Sequence, residues 1–323
     1  MIDDGFSPES LRERAEEAGS VFTAEELLAT NKMVMMALYS LGGERSCASV
    51  FRAGRMLAGF FGVETLEDAL HTFCELTGAD YDLDRNYVAI ESCPECLGYV
   101  NAEGAVCNFL RGFISRAAEH ELGEVVSVAQ VACEATGDRR CEFILGERGE
   151  VGGFDTEVDE MTAEDIEIVM SADGRDAVEV AAFKIASEGL LRCALSDVAR
   201  PMFFRAGRLY ARAFINAFDP EDPDELIGHV EEISGSSYSL EGDRFIVEKC
   251  LECAGMPFKE PICHAVRGAL AETLEHWNVP FKDLVEVRCA AEEDEVVGTC
   301  VVKARGVIWK AKRVVDAVKR AFH

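Results

Sequence analysis

The chain contains an internal repeat, in which five cysteines occur twice in the same order, about 156 residues apart. The segment FRAGR also occurs twice, at residues 51–55 and 204–208, an offset of 153. Offsets that drift by only a few residues along the whole unit indicate duplication with small insertions. The sequence therefore predicts two domains of the same fold, which suits a chain of 323 residues.

Both halves show the same predicted order of elements: helices, a β-hairpin, a helix and two strands. In the first half, the helices are predicted at 24–40, 47–61 and 64–76, the hairpin at 81–91, the later helix at 105–120, and the strands at 125–133 and 141–145. In the second half, the same elements are predicted at 177–195, 200–217, 224–233, 238–247, 261–277, 284–289 and 299–303. This order predicts an α+β fold in two tandem copies, packed as a pseudo-symmetric dimer.

The repeat also defines the predicted boundaries. These are an N-terminal extension at 1–21, the first domain at 22–150, an acidic linker at 151–174 with one helical turn near Ala163, the second domain at 175–307, and a basic amphipathic helix at 308–323. The last segment is basic on an otherwise acidic chain. We expect it to dock on the protein's own acidic surface or on a partner protein.

The overall charge excludes several classes of partner. A net charge of −28 argues against nucleic acid and against anionic membrane surfaces, because clustered Lys and Arg bind phosphate groups. The sequence has no apolar run long enough to span a membrane, and its start lacks the features of a signal peptide. We therefore expect a cytoplasmic protein, in which thirteen cysteines favour metal binding or redox chemistry over disulfides.

Ten of the thirteen cysteines belong to the repeated pattern. They are Cys93, Cys96, Cys107, Cys133 and Cys141 in the first half, and Cys250, Cys253, Cys263, Cys289 and Cys300 in the second. A CxxC pair lets two thiolates converge on one ion, and distant cysteines complete the coordination shell. Zinc and iron–sulfur clusters are both bound by thiolates, and a redox dithiol is a third reading of the CxxC pairs. We expect the other three cysteines to be buried in helices: Cys47, Cys74 and Cys193.

Glu286, three residues before Cys289, is a further candidate ligand, whereas the first half has Gln130 at the matching position. A carboxylate binds zinc well and a neutral amide binds it poorly. Residues three apart on a regular strand point to opposite faces, so Glu286 and Cys289 share an ion only if the chain bends between them. The alternative is that Glu286 is an ordinary surface acid.

Both halves resemble the 4-vinyl-reductase domain of archaeal hydrocarbon-binding proteins and of bacterial regulators that detect phenols. The resemblance rests on FRAGR, on a cysteine heading the later helix in AVCNFLRGF and PICHAVRGAL, and on VACEATGDRRCEFIL with its diverged partner VRCAAEEDEVVGTCVVKA. It implies a fold similar to the ligand-binding fold of Golgi-tethering and NO-signalling proteins. It also implies an apolar pocket for a small molecule and a tendency to dimerise through helices, which leaves homo-oligomers open.

The resemblance further implies a zinc site, which in the phenol-sensing relatives consists of a cysteine, an ExxC pair and a final cysteine. The matching residues are Cys107, Cys133 and Cys141 in the first half, and Cys263, Glu286, Cys289 and Cys300 in the second. The CxxC pairs are additional to this set. In the first half, Cys93 or Cys96 could supply the ligand that Gln130 cannot.

The leading functional hypothesis is a non-enzymatic module that binds a metal ion and a small apolar molecule and acts through a partner protein. The alternative is an iron–sulfur electron carrier or reductase subunit. A catalytic role of its own is disfavoured, because the sequence has no Gly-rich dinucleotide fingerprint and its six histidines form no acid–base set. The candidates for lining an apolar pocket lie near the two FRAGR segments: Phe51, Met56, Phe60, Phe203, Phe204 and Tyr210.

Overall fold

The computed structural model contains helices and two four-stranded antiparallel sheets, which confirms the α+β prediction. It describes residues 5–99, 102, 104–147, 158, 161–172, 174–292, 295 and 297–306. The helix predicted at 308–323 and much of the predicted linker lie outside these residues. Within the described residues, no helix is long and apolar enough to cross a membrane.

The first half contains five helices and one sheet. Its elements are α1 (Pro8–Gly19), α2 (Ala24–Gly42), α3 (Glu44–Phe61), α4 (Leu66–Thr77), β1 (Asp80–Asp84), β2 (Tyr87–Glu91), α5 (Asn108–Leu122), β3 (Val128–Ala132) and β4 (Cys141–Leu145). The strands pair in the order β1-β2-β4-β3.

The second half repeats this order from its second helix onward. Its elements are α6 (Ala163–Met170), α7 (Ala177–Leu195), α8 (Ala199–Phe218), α9 (Pro223–Ser234), β5 (Ser237–Glu241), β6 (Arg244–Glu248), α10 (His264–His276), β7 (Asp283–Arg288) and β8 (Cys300–Arg305). Its strands pair in the matching order β5-β6-β8-β7. Helix α6 lies where the sequence predicted a single turn within the linker.

Helix α1 lies in the segment that was predicted to be only an extension. Ser7 caps its start by accepting a hydrogen bond from the Ser10 N–H, and Pro8 occupies the first helical position. The helix buries Leu11 and Ala15 and packs against α7 of the second half. The N-terminal segment is therefore part of the core. Its Ser-Pro start is the sequence signal that identifies the helix.

The helices of the two halves pack against each other. Helix α2 contacts α7 and α8, and α3 contacts α7, so that one hydrophobic cluster draws residues from both halves. A two-fold relation between the halves stays a prediction.

The FRAGR segments lie where α3 crosses α5 and where α8 crosses α10. A Cβ atom on Gly54 would lie 1.9 Å from the Phe109 carbonyl oxygen, and one on Gly112 would lie 1.9 Å from the Phe51 carbonyl oxygen. Only glycine allows backbones to approach this closely. Since α5 and α10 each begin directly after a cysteine of the repeat, these crossings help to place those cysteines.

Candidate metal centre

The five repeated cysteines of the first half lie together in its interior. Cys96, Cys107 and Cys141 form a triangle with sulfur–sulfur distances of 3.2, 3.3 and 3.5 Å. The Cys133 sulfur lies 3.5 Å from that of Cys96, and the Cys93 sulfur lies 3.7 Å from that of Cys107. All five are buried free thiols.

The second half repeats this arrangement. The Cys263 sulfur lies 3.0 Å from those of Cys253 and Cys300, which are themselves 3.4 Å apart. The Cys289 sulfur lies 3.4 Å from that of Cys253, and the Cys250 sulfur lies 3.5 Å from that of Cys263. The structure thus brings all ten repeated cysteines into two groups of five.

Two sets of four sulfurs could each hold one metal ion, because the sulfurs within each set all lie within 4.8 Å of one another. These sets are Cys93, Cys96, Cys107 and Cys141, and Cys250, Cys253, Cys263 and Cys300. A third candidate set is Cys263, Glu286 and Cys289. The CxxC cysteines, which the zinc set of the resemblance does not contain, therefore lie at the centre of both groups.

The other three cysteines lie outside these groups. Cys47 and Cys74 are buried, as expected, whereas Cys193 is partly exposed. Burial raises the pKa of the Cys74 thiol to about 12. Their positions agree with the reading of these residues as packing side chains.

Local backbone geometry forms each CxxC turn. The Cys96 N–H donates to the Cys93 carbonyl at 3.1 Å, and the second half makes the same bond between Cys253 and Cys250. The residue before each pair has a left-handed φ, which is 56° at Ser92 and 51° at Lys249. This conformation turns the chain out of β2 or β6 and into the cysteine loop.

A glutamate inside each CxxC pair connects the loop to the next helix, a role that sequence reasoning missed. The Glu95 carboxylate accepts hydrogen bonds from the N–H groups of Phe109 and Leu110 at 2.8 and 3.0 Å. Glu252 does the same at the start of α10, at 3.1 and 2.9 Å. Because Cys107 is the N-cap of α5, the carboxylate fixes this cysteine relative to the CxxC loop. The shared spelling Cys-x-Glu-Cys was the available signal.

Buried cations lie beside both loops. In the first half, Lys32 Nζ donates to the carbonyls of Pro94 and Glu95 at 3.1 and 2.8 Å. In the second half, Arg192 lies 2.6 Å from the Glu252 carboxylate. Burial lowers the pKa of Lys32 to about 8 and raises the pKa of Glu95 to about 8. These positive charges suit a site at which thiolates accumulate negative charge.

Gln130 and Glu286 occupy equivalent positions. Their Oε1 atoms accept hydrogen bonds from the N–H groups of Cys107 and Cys263, in both cases at 3.2 Å. A register shift between Glu286 and Arg288 supplies the bend that a shared ion requires. Burial raises the pKa of Glu286 to about 8. Its Oε2 is buried and makes no hydrogen bond within the described residues, so Glu286 is not an ordinary surface acid.

The thiol environment links metal binding to protons. Burial and the neighbouring thiols raise the pKa of Cys107 and of Cys263 well above the ordinary value. Both thiols therefore stay protonated at neutral pH without a counter-charge, and an ion would have to displace their protons.

The second half also encloses an apolar cavity of about 50 Å³, which exceeds the space that one water molecule needs. Tyr210, Leu226, Tyr238, Ala269 and Trp277 are among the side chains that line it. Of the six residues predicted to line an apolar pocket, Tyr210 lines this cavity. The other five do not: Phe51, Met56, Phe60, Phe203 and Phe204.

Comparison with known families finds a 4-vinyl-reductase domain at residues 86–147, which is the domain that the sequence resembles. This segment contains all five cysteines of the first group. No curated protein and no solved structure matches the chain.

Proposed function

We propose that this protein is a metal-binding module in which each half holds one zinc ion. The observation that carries this proposal is the direct contact among buried free cysteine sulfurs in both halves. The repeated strand order and cysteine group support the further proposal that the second half is a second copy of the 4-vinyl-reductase domain, of the type found in archaeal proteins.

The sulfur–sulfur distances favour a single ion over a cluster. Four thiolates around one zinc ion, with bonds near 2.3 Å, lie about 3.8 Å apart. The observed triangle of 3.2 to 3.5 Å in the first half needs only a small expansion to reach this spacing. In a four-iron cluster each cysteine binds a different iron, which separates the sulfurs rather than leaving them in contact.

Elemental analysis of the full-length protein, purified without oxygen, tests the metal proposal. We expect two zinc ions per chain and no visible absorption. Cys96→Ser and Cys253→Ser should each lose one ion, because both sulfurs lie within their groups. Cys74→Ser and Cys193→Ser are the matched controls and should retain both ions. Iron with visible absorption would instead support the alternative of an electron carrier or reductase subunit.

We further propose that the second half binds a small apolar molecule in its cavity, in keeping with the lining by Leu226, Trp277 and similar side chains. Because this cavity and both cysteine groups are enclosed, a response would reach other molecules through the protein surface. A partner protein would receive it there. This proposal fits a non-enzymatic, cytoplasmic binding module and leaves self-association open.

A further inference from the structure

A basic cleft lies beside the second cysteine group of this strongly acidic chain. Its volume is about 460 Å³, within the range of small-molecule sites. Its charged lining consists of Arg200, Arg208, Arg267 and Lys282 on the positive side, and Glu275 and Asp283 on the negative side. Cations thus outnumber acids here, although the chain as a whole has a net charge of −28.

Arg267 is the cation in this cleft that is free to bind a ligand. Arg208 is already paired with Glu272 and Glu275. Arg267 makes no ion pair among the described residues, and its buried Nε has no hydrogen-bond partner there. Its guanidinium lies 6.0 Å from the centre of the Phe204 ring, which also lines the cleft.

His264 supplies a second unsatisfied group in the same cleft. Its side chain is only 5% exposed, and its Nδ1 is buried without a hydrogen-bond partner among the described residues. A buried polar atom that lacks a partner is costly, so this one requires a partner from outside the protein.

The first half shows how the same positions look when no ligand is needed. Asn108 and Arg111 correspond to His264 and Arg267 at the offset of 156 residues. Arg111 donates a hydrogen bond to the Asn108 side chain at 3.3 Å, and Asn108 also donates to the Val106 carbonyl. The second half has lost this internal pairing.

We propose that the cleft binds a small organic carboxylate. The carboxylate lies between Arg267 and His264, because a guanidinium binds carboxylates through paired hydrogen bonds. Arg200 and Lys282 add positive charge at the rim, and Phe204 and Phe281 contact the organic part of the ligand. This site is separate from the apolar cavity, and the proposal does not depend on metal binding.

Benzoate titration of the full-length protein, followed by calorimetry at constant ionic strength, tests the proposal. We expect the wild type to bind benzoate and to bind neutral benzamide at least about tenfold more weakly. Arg267→Gln and His264→Asn should each weaken benzoate binding by about tenfold or more. Arg205→Gln is the matched control, because this exposed arginine lies on the same helix as the cleft residue Phe204 but outside the cleft. Its affinity should be unchanged.

Three outcomes would overturn the proposal. They are failure of the wild type to bind benzoate, equal binding of benzamide, and wild-type affinity in Arg267→Gln. A competition with inorganic phosphate identifies the preferred anion, and displacement of benzoate by an equal concentration of phosphate would also contradict a carboxylate site.

Metal content, measured on the same samples, separates this site from the cysteine group. His264 follows Cys263 directly, so Arg267 and His264 could instead act only as counter-charges for a bound ion. We expect Arg267→Gln to keep its full metal content. Loss of metal together with benzoate binding would show that Arg267 serves the cysteine group and would refute the carboxylate site.

Discussion

Phe113 occupies in α5 the position that Ala269 occupies in α10, six residues after the cysteine that caps each helix. The Phe113 ring is fully buried and lies 5.4 Å from the Phe61 ring and 5.0 Å from the Phe73 ring. Ala269 leaves the matching space empty and lines the apolar cavity. The two halves therefore share a backbone order but differ in whether their helix–sheet core is filled.

Ala269→Phe should close the cavity of the second half. The added ring would occupy the space beside Tyr210 and Trp277, so an apolar guest should no longer bind. Xenon is a suitable guest, because it enters small dry cavities without hydrogen bonds. We expect the ¹²⁹Xe chemical shift to report binding in the wild type and no specific binding in the variant.

Ala48→Phe is the control for this experiment, since Ala48 is exposed on α3 and the substitution adds the same apolar bulk. It should leave the xenon shift unchanged. Equal xenon binding by wild type and Ala269→Phe would show that the guest binds elsewhere.

Phe113→Ala should have the opposite effect in the first half. Removing a fully buried ring costs about 3 to 5 kcal/mol of unfolding free energy. The variant should also gain a xenon site that the wild-type first half lacks. Denaturant unfolding measures the first effect and ¹²⁹Xe NMR the second. A loss below about 1 kcal/mol would show that the neighbouring rings collapse into the space.

The sequence predicted the element order and the grouping of the cysteines, because both depend on local periodicity and on the repeat. The apolar cavity was not predictable in the same way, since it depends on side-chain volume where α10 packs between its neighbours. Phe204 shows the difference, because it lies next to FRAGR in sequence but lines the basic cleft instead. The role of Glu95 was missed because its hydrogen bonds join segments that are fourteen and fifteen residues apart.

The fifth cysteine of each group gives a prediction about ligand exchange. In the first half, Cys93 and Cys133 both contact the triangle of Cys96, Cys107 and Cys141, but one tetrahedral ion accepts only one of them as its fourth ligand. Cys93→Ser and Cys133→Ser should therefore each retain two ions per chain. The double variant should lose about one ion, as measured by elemental analysis. Loss of an ion in either single variant would identify that cysteine as an obligatory ligand.

Glu119→Gln should reduce stability in a pH-dependent manner. Two hydrogen bonds from Arg55, at 2.8 and 2.7 Å, hold the pKa of Glu119 below its ordinary value. A lowered pKa stabilises the fold above the ordinary value, and this stabilisation is lost as the pH falls through the lowered one. The variant should be less stable by about 1 to 3 kcal/mol at pH 7, and the difference should shrink in acid.

Denaturant unfolding at several pH values measures this difference. Glu124→Gln is the control, because Glu124 is exposed in the segment after α5 and should behave like the wild type at every pH. A difference between Glu119→Gln and wild type that persists unchanged at acid pH would contradict the assignment to the Arg55 ion pair.

Gly54→Ala tests whether the helix crossing supports the cysteine group. A Cβ at this position would overlap the Phe109 carbonyl oxygen, so α3 and α5 must move apart. Overpacking of this kind costs about 1 to 3 kcal/mol. Helix α5 begins after Cys107, so the same movement should shift this sulfur and weaken metal binding in the first half alone. Gly59→Ala on the same helix meets no atom within 4 Å and should be neutral or stabilising by up to about 1 kcal/mol. Unfolding curves and competition with a chelator measure both effects. Unchanged metal affinity in a destabilised Gly54→Ala protein would show that the loop bonds of Glu95 suffice to place Cys107.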